Sequence, residues 1–259
     1  MQPAIVMPMH DPDGILFPHL GATTPFLKEV FDCAFINLTA VTFERQPEQC
    51  DRLRRDPFFR VARCEKGAPP GKQFAQLYRD AASACPPEQA LHLGFVDRVV
   101  YALGSEHRET FLAEVYGVHA ADTPVLYHRS PAAWETHPDT YRRLEGIVTA
   151  VGETLLGGRS FDFAWCYMAL KAGRLAALMP TIKRSDMSML AEMVVGLQDQ
   201  LRVREADWLA WEDPYILGRD GAELKRERET SAADVRKRLG YVIPMLQVLA
   251  EWQAADGNG

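Results

Sequence analysis

Several familiar things are scarce or missing in this chain of 259 residues. Cysteine is thin: Cys33, Cys50, Cys64, Cys85 and Cys166 are scattered with no C-x-x-C pair. An odd count without pairing argues against a disulfide framework and for free, mostly buried thiols in a reducing compartment. No apolar run approaches the roughly 18 residues of a membrane-spanning helix. The opening MQPAIVMPMH has no basic segment and meets His10-Asp11 too early for a secretory leader, so a cytoplasmic protein is expected. Positive charge is in deficit, with a formal net charge of -6. That excludes the broad basic footprint of a nucleic-acid binder. The arginines Arg52, Arg54 and Arg55 read as a solvated face, the alternative being a site for a small anionic ligand.

The signature motifs are absent as well. There is no G-x-S-x-G elbow, no G-x-x-x-x-G-K phosphate loop, no H-E-x-x-H and no G-x-G-x-x-G. His119, His128 and His137 recur every nine residues, which sets them on no common helical face. Internal repeats and low-complexity tracts are missing too.

What is present is a sizeable core, 47% of residues being hydrophobic. The first half alternates short apolar runs with amphipathic ones, the pattern of an α/β protein with a mostly parallel sheet. Strands are expected at AIVMPM (4–9), CAFINLTAVT (33–42), FFRVARCE (58–65), LHLGFVDRVVYAL (91–103) and PVLYHR (124–129). Helices are expected at 17–32 and at 72–85, the latter placing Phe74, Leu77, Tyr78 and Ala81 on one face. Beyond about 130 the pattern turns helical. A helix is expected over 185–201, and one over 231–253 broken at Pro244.

Polar residues recur at the C-terminal ends of these strands: His10-Asp11, the loop 67–71, Asp97-Arg98 and His128-Arg129. In open α/β sheets ligands sit at that edge, because the loops there diverge.

With these features on one edge, the order of elements resembles that of the GT-A glycosyltransferases. The loop MPMHDPDG (7–14) resembles the first-strand loop that touches the nucleotide in that superfamily. GAPPGKQFAQLYRDAA (67–82) resembles the glycine-rich loop and helix beneath the sugar-nucleotide, and GFVDR (94–98) stands where Asp-x-Asp holds a divalent metal. HRSPAAWETHPDTYRRLEG (128–146) and LLGGRSFDFAWCYMAL (155–170) are similar to the donor-sugar and acceptor region of some bacterial members.

The resemblance covers roughly residues 4–180. It implies one GT-A-like (Rossmann-like) domain over 1–259, with a nucleotide-binding half (1–130), an acceptor and donor-sugar half (131–184) and a helical C-terminal region (185–259). It further implies that Pro8, His10, Asp11, Gly71, Lys72, Asp97, Arg98, His128 and Arg129 bind a nucleotide-sugar donor. The partners would be that donor and a small-molecule or glycan acceptor.

Asp97 is the single acid retained from the metal motif. A Mg²⁺ or Mn²⁺ ion there would lean on diphosphate oxygens, water or a second residue. Alternatively no metal is needed and Arg98, Arg129 or Lys72 neutralises the diphosphate. A third alternative keeps the architecture without catalysis.

Asp162, Glu212 and Asp213 are the candidate bases toward an acceptor hydroxyl. The plainer readings are a helix cap for Asp162 and a turn for the other two. Trp208 and Trp211 either stack on a sugar or base or anchor packing. The function expected is transfer of a sugar from a nucleotide-diphosphate donor. The alternatives are a non-catalytic GT-A-like binding or scaffold protein and a nucleotidyltransferase.

Overall fold

The computed structural model describes residues 1–118 and 123–256; His119 lies outside them. The fold is α/β: a mostly parallel seven-stranded sheet with helices on both faces. The strands are β1 (Ala4–Met9), β2 (Cys33–Leu38), β3 (Phe59–Arg63), β4 (Ala90–Gly94), β5 (Val125–Arg129), β6 (Tyr167–Lys171) and β7 (Arg202–Ala206), ordered β3-β2-β1-β4-β6-β5-β7. Only β6 runs against its neighbours, pairing antiparallel with β4 and β5.

Strict alternation explains why β1 and β2 read as continuous apolar runs. Ala4, Val6, Cys33 and Phe35 enter the core on one face, while Ile5, Met7, Ala34 and Ile36 enter the core on the other. The helices are α1 (Leu16–Val30), α2 (Ala40–Arg45), α3 (Pro47–Arg55), α4 (Pro70–Ala84), α5 (Val96–Gly104), α6 (Arg108–Val118), α7 (Pro131–Thr136), α8 (Asp139–Leu155), α9 (Ala172–Leu178), α10 (Met189–Leu197), α11 (Asp213–Leu217), α12 (Gly221–Thr230) and α13 (Ala232–Asp256). None of them is long and apolar enough to cross a membrane.

The chain runs outward from β1 to β2 and β3, then returns through α4 to β4 on the other side of β1. Between β1 and β4 the direction of winding therefore reverses, and the loops leaving the two strands separate.

Four expectations are corrected. The run 91–103 is no single strand: β4 stops at Gly94, and Val96, Val99, Val100 and Leu103 continue at helical spacing as the buried side of α5. Gly94 is required there, since a Cβ would lie 2.8 Å from the Tyr167 ring on β6. β2 likewise ends at Leu38, and 40–45 is helical.

Two strands, β6 and β7, went unanticipated. β6 hides in an aromatic stretch, and β7 is an edge strand whose charged, mostly exposed sequence carries no strand signal. Finally, α13 passes through Pro244 unbroken. The proline costs one backbone bond, and Val242, Met245, Val248 and Leu249 hold both sides of it in the core.

Candidate functional site

At the divergence of β1 and β4 lies a cleft of about 800 Å³. The ends of four parallel strands supply it: Pro8 to His10 at the end of β1, Thr39 to Val41 after β2, Glu65 to Ala68 after β3, and Phe95 to Asp97 after β4. Its walls are mainly apolar. Phe74 and Phe95 meet edge to face with ring centroids 5.5 Å apart, and Met187 and Tyr241 close the far side.

A second chamber of about 280 Å³ adjoins it, and Phe95, Asp97, Met187, Lys237 and Tyr241 line both. This chamber is crowded with charge. Arg228 lies 3.1 Å from Asp234 and 3.5 Å from Asp213. Arg238 pairs with buried Glu145 at 2.7 Å, and Arg98 contacts Glu212 and donates to the Ala210 carbonyl at 2.9 Å. Lys237 carries no hydrogen bond or ion pair among the described residues.

The acids here are perturbed. Burial pushes the Glu212 carboxyl up to about 8, with Asp97 and Asp213 adding repulsion against the opposing pull of Arg98. Asp97 is raised as well, by burial and by Asp213, although Arg98 counters. The Arg98 backbone N–H donates to the Asp97 Oδ1 at 2.8 Å.

The structure brings some of the anticipated residues together. Pro8, His10 and Asp97 line the large cleft, and Asp97, Arg98, Glu212 and Asp213 line the chamber. His10 is exposed, its Nδ1 3.0 Å from the Thr39 hydroxyl.

Others are placed elsewhere, each for a visible reason. Asp11 is buried and caps α1, its carboxylate accepting the N–H groups of Ile15, Leu16 and Phe17 at 2.8, 2.8 and 3.2 Å. Gly71 lets α4 approach the 185–186 backbone, where a Cβ would stand 2.1 Å from the Asp186 carbonyl oxygen. Lys72 faces a neighbouring hollow and pairs with Glu65 at 2.7 Å.

Arg129 and Asp162 line neither space. They form a buried bidentate pair at 2.8–2.9 Å, with Glu145 2.7 Å from Arg129 and Trp134 stacked on its guanidinium. Burial would raise the Glu145 carboxyl, but Arg129 and Arg238 overcome it and hold it below the ordinary range. His128 Nε2 accepts the Asp162 backbone N–H at 2.9 Å, and burial depresses its basicity. Trp208 sits in the core, whereas Trp211 lines the chamber.

Sequence reading missed Arg228, Asp234, Lys237, Arg238 and Tyr241. The available signal was the spacing of Asp234, Lys237, Arg238 and Tyr241, which puts them on one side of α13.

The metal implied by the GT-A resemblance does not fit these residues. No group of three or more His, Cys, Asp or Glu side chains among the described residues is placed to hold a metal ion. Asp97 faces Arg98, and its acidic neighbours Glu212 and Asp213 are engaged by Arg98 and Arg228 rather than left open to a cation.

No family model and no curated protein sequence matches the chain. Among solved structures it is similar to glucosyl-3-phosphoglycerate synthase from Mycobacterium tuberculosis in complex with Mn²⁺, uridine diphosphate and glucosyl-3-phosphoglycerate. That match has 12% identity over 92% of this chain and 80% of the other, with a TM-score of 0.48. It is also similar to 4-diphosphocytidyl-2C-methyl-D-erythritol synthase from Anaerococcus prevotii, at 10% identity over 87% of this chain and 97% of the other, with a TM-score of 0.46. Likenesses this distant assign no chemistry to the chain.

Proposed function

We propose that this protein is a nucleotide-sugar-dependent glycosyltransferase. One observation carries the reading: an apolar cleft at the reversal point of a mostly parallel sheet opens directly into a smaller, charged chamber. A nucleoside fits the first, with its base against Phe74 and Phe95 and its ribose toward His10 and Thr39. The diphosphate would lie at the junction, and the sugar and acceptor hydroxyl in the chamber.

Glu212 is the base we assign. A carboxyl pushed up to about 8 has a proton affinity matched to an acceptor hydroxyl near neutral pH, which an ordinary carboxylate lacks. Asp162, committed to Arg129, is set aside. Five unpaired thiols suit a cytoplasmic setting.

A panel of nucleoside diphosphates and sugar nucleotides, followed by thermal unfolding, tests this. A ligand present at a hundred times its Kd stabilises the native state by about 2.7 kcal/mol. At least one nucleotide is expected to raise Tm, and its sugar derivative to release nucleoside diphosphate when acceptor mixtures are supplied. If no nucleotide moves Tm, the proposal fails. Binding without turnover in any acceptor mixture would favour the non-catalytic reading, which the Arg98–Glu212 contact also supports.

A further inference from the structure

Resting on that reading, we infer that the reaction needs no divalent cation, and that the Lys237 ammonium supplies the charge a metal would bring to the departing diphosphate. The position of Lys237 is the first ground. It lies on α13 and lines both the nucleoside cleft and the charged chamber, so it stands where a diphosphate joining the two spaces must pass.

Its freedom is the second. The other chamber cations are engaged: Arg98 with Glu212, Arg228 with Asp213 and Asp234, and Arg238 with Glu145. Of the three cations the sequence nominated for the diphosphate, Lys72 is held by Glu65 and Arg129 is sealed beneath Trp134. Lys237 is exposed and has no such partner among the described residues, so it turns to a ligand without breaking an ion pair.

The third ground is the local acid count. Phe95 and Val96 stand where a metal motif would carry its first acid and spacer, and the acids nearest Asp97, Glu212 and Asp213, are held by Arg98 and Arg228.

In the transfer step the bond between the anomeric carbon and the β-phosphate oxygen breaks, and both electrons stay on that oxygen. The acceptor oxygen forms the new bond to the carbon, and its proton passes to the Glu212 carboxylate. The nucleoside diphosphate leaves with one more negative charge than it had as an ester. Lys237 meets that charge at an ammonium whose long stem follows the phosphate as it departs.

The test is calorimetry of nucleoside and nucleoside diphosphate binding, in EDTA and in Mn²⁺, with wild type, Lys237→Met and Lys237→Arg. Lys237 is exposed, so these variants leave the core intact. The expected result is equal diphosphate affinity in EDTA and Mn²⁺. Lys237→Met should lose roughly ten- to hundredfold in diphosphate affinity, with nucleoside affinity unchanged and most of the loss restored in Lys237→Arg.

Diphosphate binding that requires Mn²⁺ overturns the inference while leaving the glycosyltransferase reading intact. Undiminished diphosphate affinity in Lys237→Met likewise overturns the role given to Lys237. If neither nucleoside nor nucleotide binds under any condition, both readings fall.

Discussion

The two spaces that meet at Asp97 and Lys237 are built by opposite means. The larger is apolar and assembled from strand ends lying within the first hundred residues, with Met187, Lys237 and Tyr241 closing one side. The smaller is polar and drawn from segments spread between Phe95 and Met245. One side gains its shape from a sheet that would exist without any ligand. The other is a balance of buried ions, each tolerable only because its counter-charge is within reach. A rigid slot beside a poised electrostatic chamber suits a ligand with a flat neutral end and a charged, reactive end.

The largest expected effect comes from unbalancing the ions behind the chamber. Arg129 is shared by Asp162 and Glu145, both buried, and Glu145 also serves Arg238. Arg129→Ala would leave two carboxylates facing each other in the interior and should cost about 3–5 kcal/mol of stability, read by urea denaturation. Phe74→Ala in the apolar slot, where water can enter in place of the ring, is the control expected to cost less. If Arg129→Ala proves the milder of the two, the chamber is not the strained region.

The same asymmetry governs what could be read from sequence. β1, α4, β5 and the start of β2 are legible because each is specified locally, by an apolar run or a 3.6-residue stripe. The edge at which His10 and Asp97 meet followed from strand direction alone. The end of β4 was misread because FVDRVVYAL is apolar enough for either element, and only the fit of Gly94 against Tyr167 reveals the turn. Lys237 was invisible as a site residue. Nothing near it in sequence says that α13 folds back across the mouth of a cleft formed some 140 positions earlier. Arg129 stands at the end of a parallel strand, the edge where ligands bind in open α/β sheets, so the sequence offers it for the diphosphate; its counter-charges, Asp162 and Glu145, arrive from later elements.

A smaller effect probes the chamber's charge state. Burial pushes the Glu212 carboxyl up to about 8 in the folded protein, from an ordinary value of 4.5. The native state therefore holds the extra proton between those values, and stability falls as pH rises through that window. The depressed histidines, His128 and His137, act the other way, but only below their unfolded value of 6.5. Between pH 7 and 8 the carboxyl dominates, and wild type should lose about 1 kcal/mol in urea denaturation. Glu212→Gln should lose that slope, and its transfer rate should fall by about 10²–10⁴. Asp97, also raised, interacts with Glu212, so the two carboxyls titrate as a pair and the comparison of slopes reads that pair. Parallel pH profiles in the two proteins would mean that Arg98 keeps Glu212 ionised, and the chamber would be a settled salt bridge rather than a poised one.

The smallest effect is expected at Lys72, and it separates the two sides most cleanly. Lys72 and Lys237 are each a lysine near the start of a helix, and of the two the sequence singles out Lys72 alone for the diphosphate. In the fold Lys72 turns into the hollow beside Asn37, Gln76 and Asp80 and is tied to Glu65, while Lys237 faces the junction untied. An exposed pair of this kind has little to give, so Lys72→Ala should change nucleoside diphosphate affinity by less than about twofold. The measurement belongs in the same calorimeter as Lys237→Met, because only the contrast between the two lysines distinguishes a specific phosphate contact from a general pull of positive charge. Equal losses in both variants would mean that the diphosphate is attracted by the field of the whole rim, and the boundary drawn between slot and chamber would lose its chemical meaning.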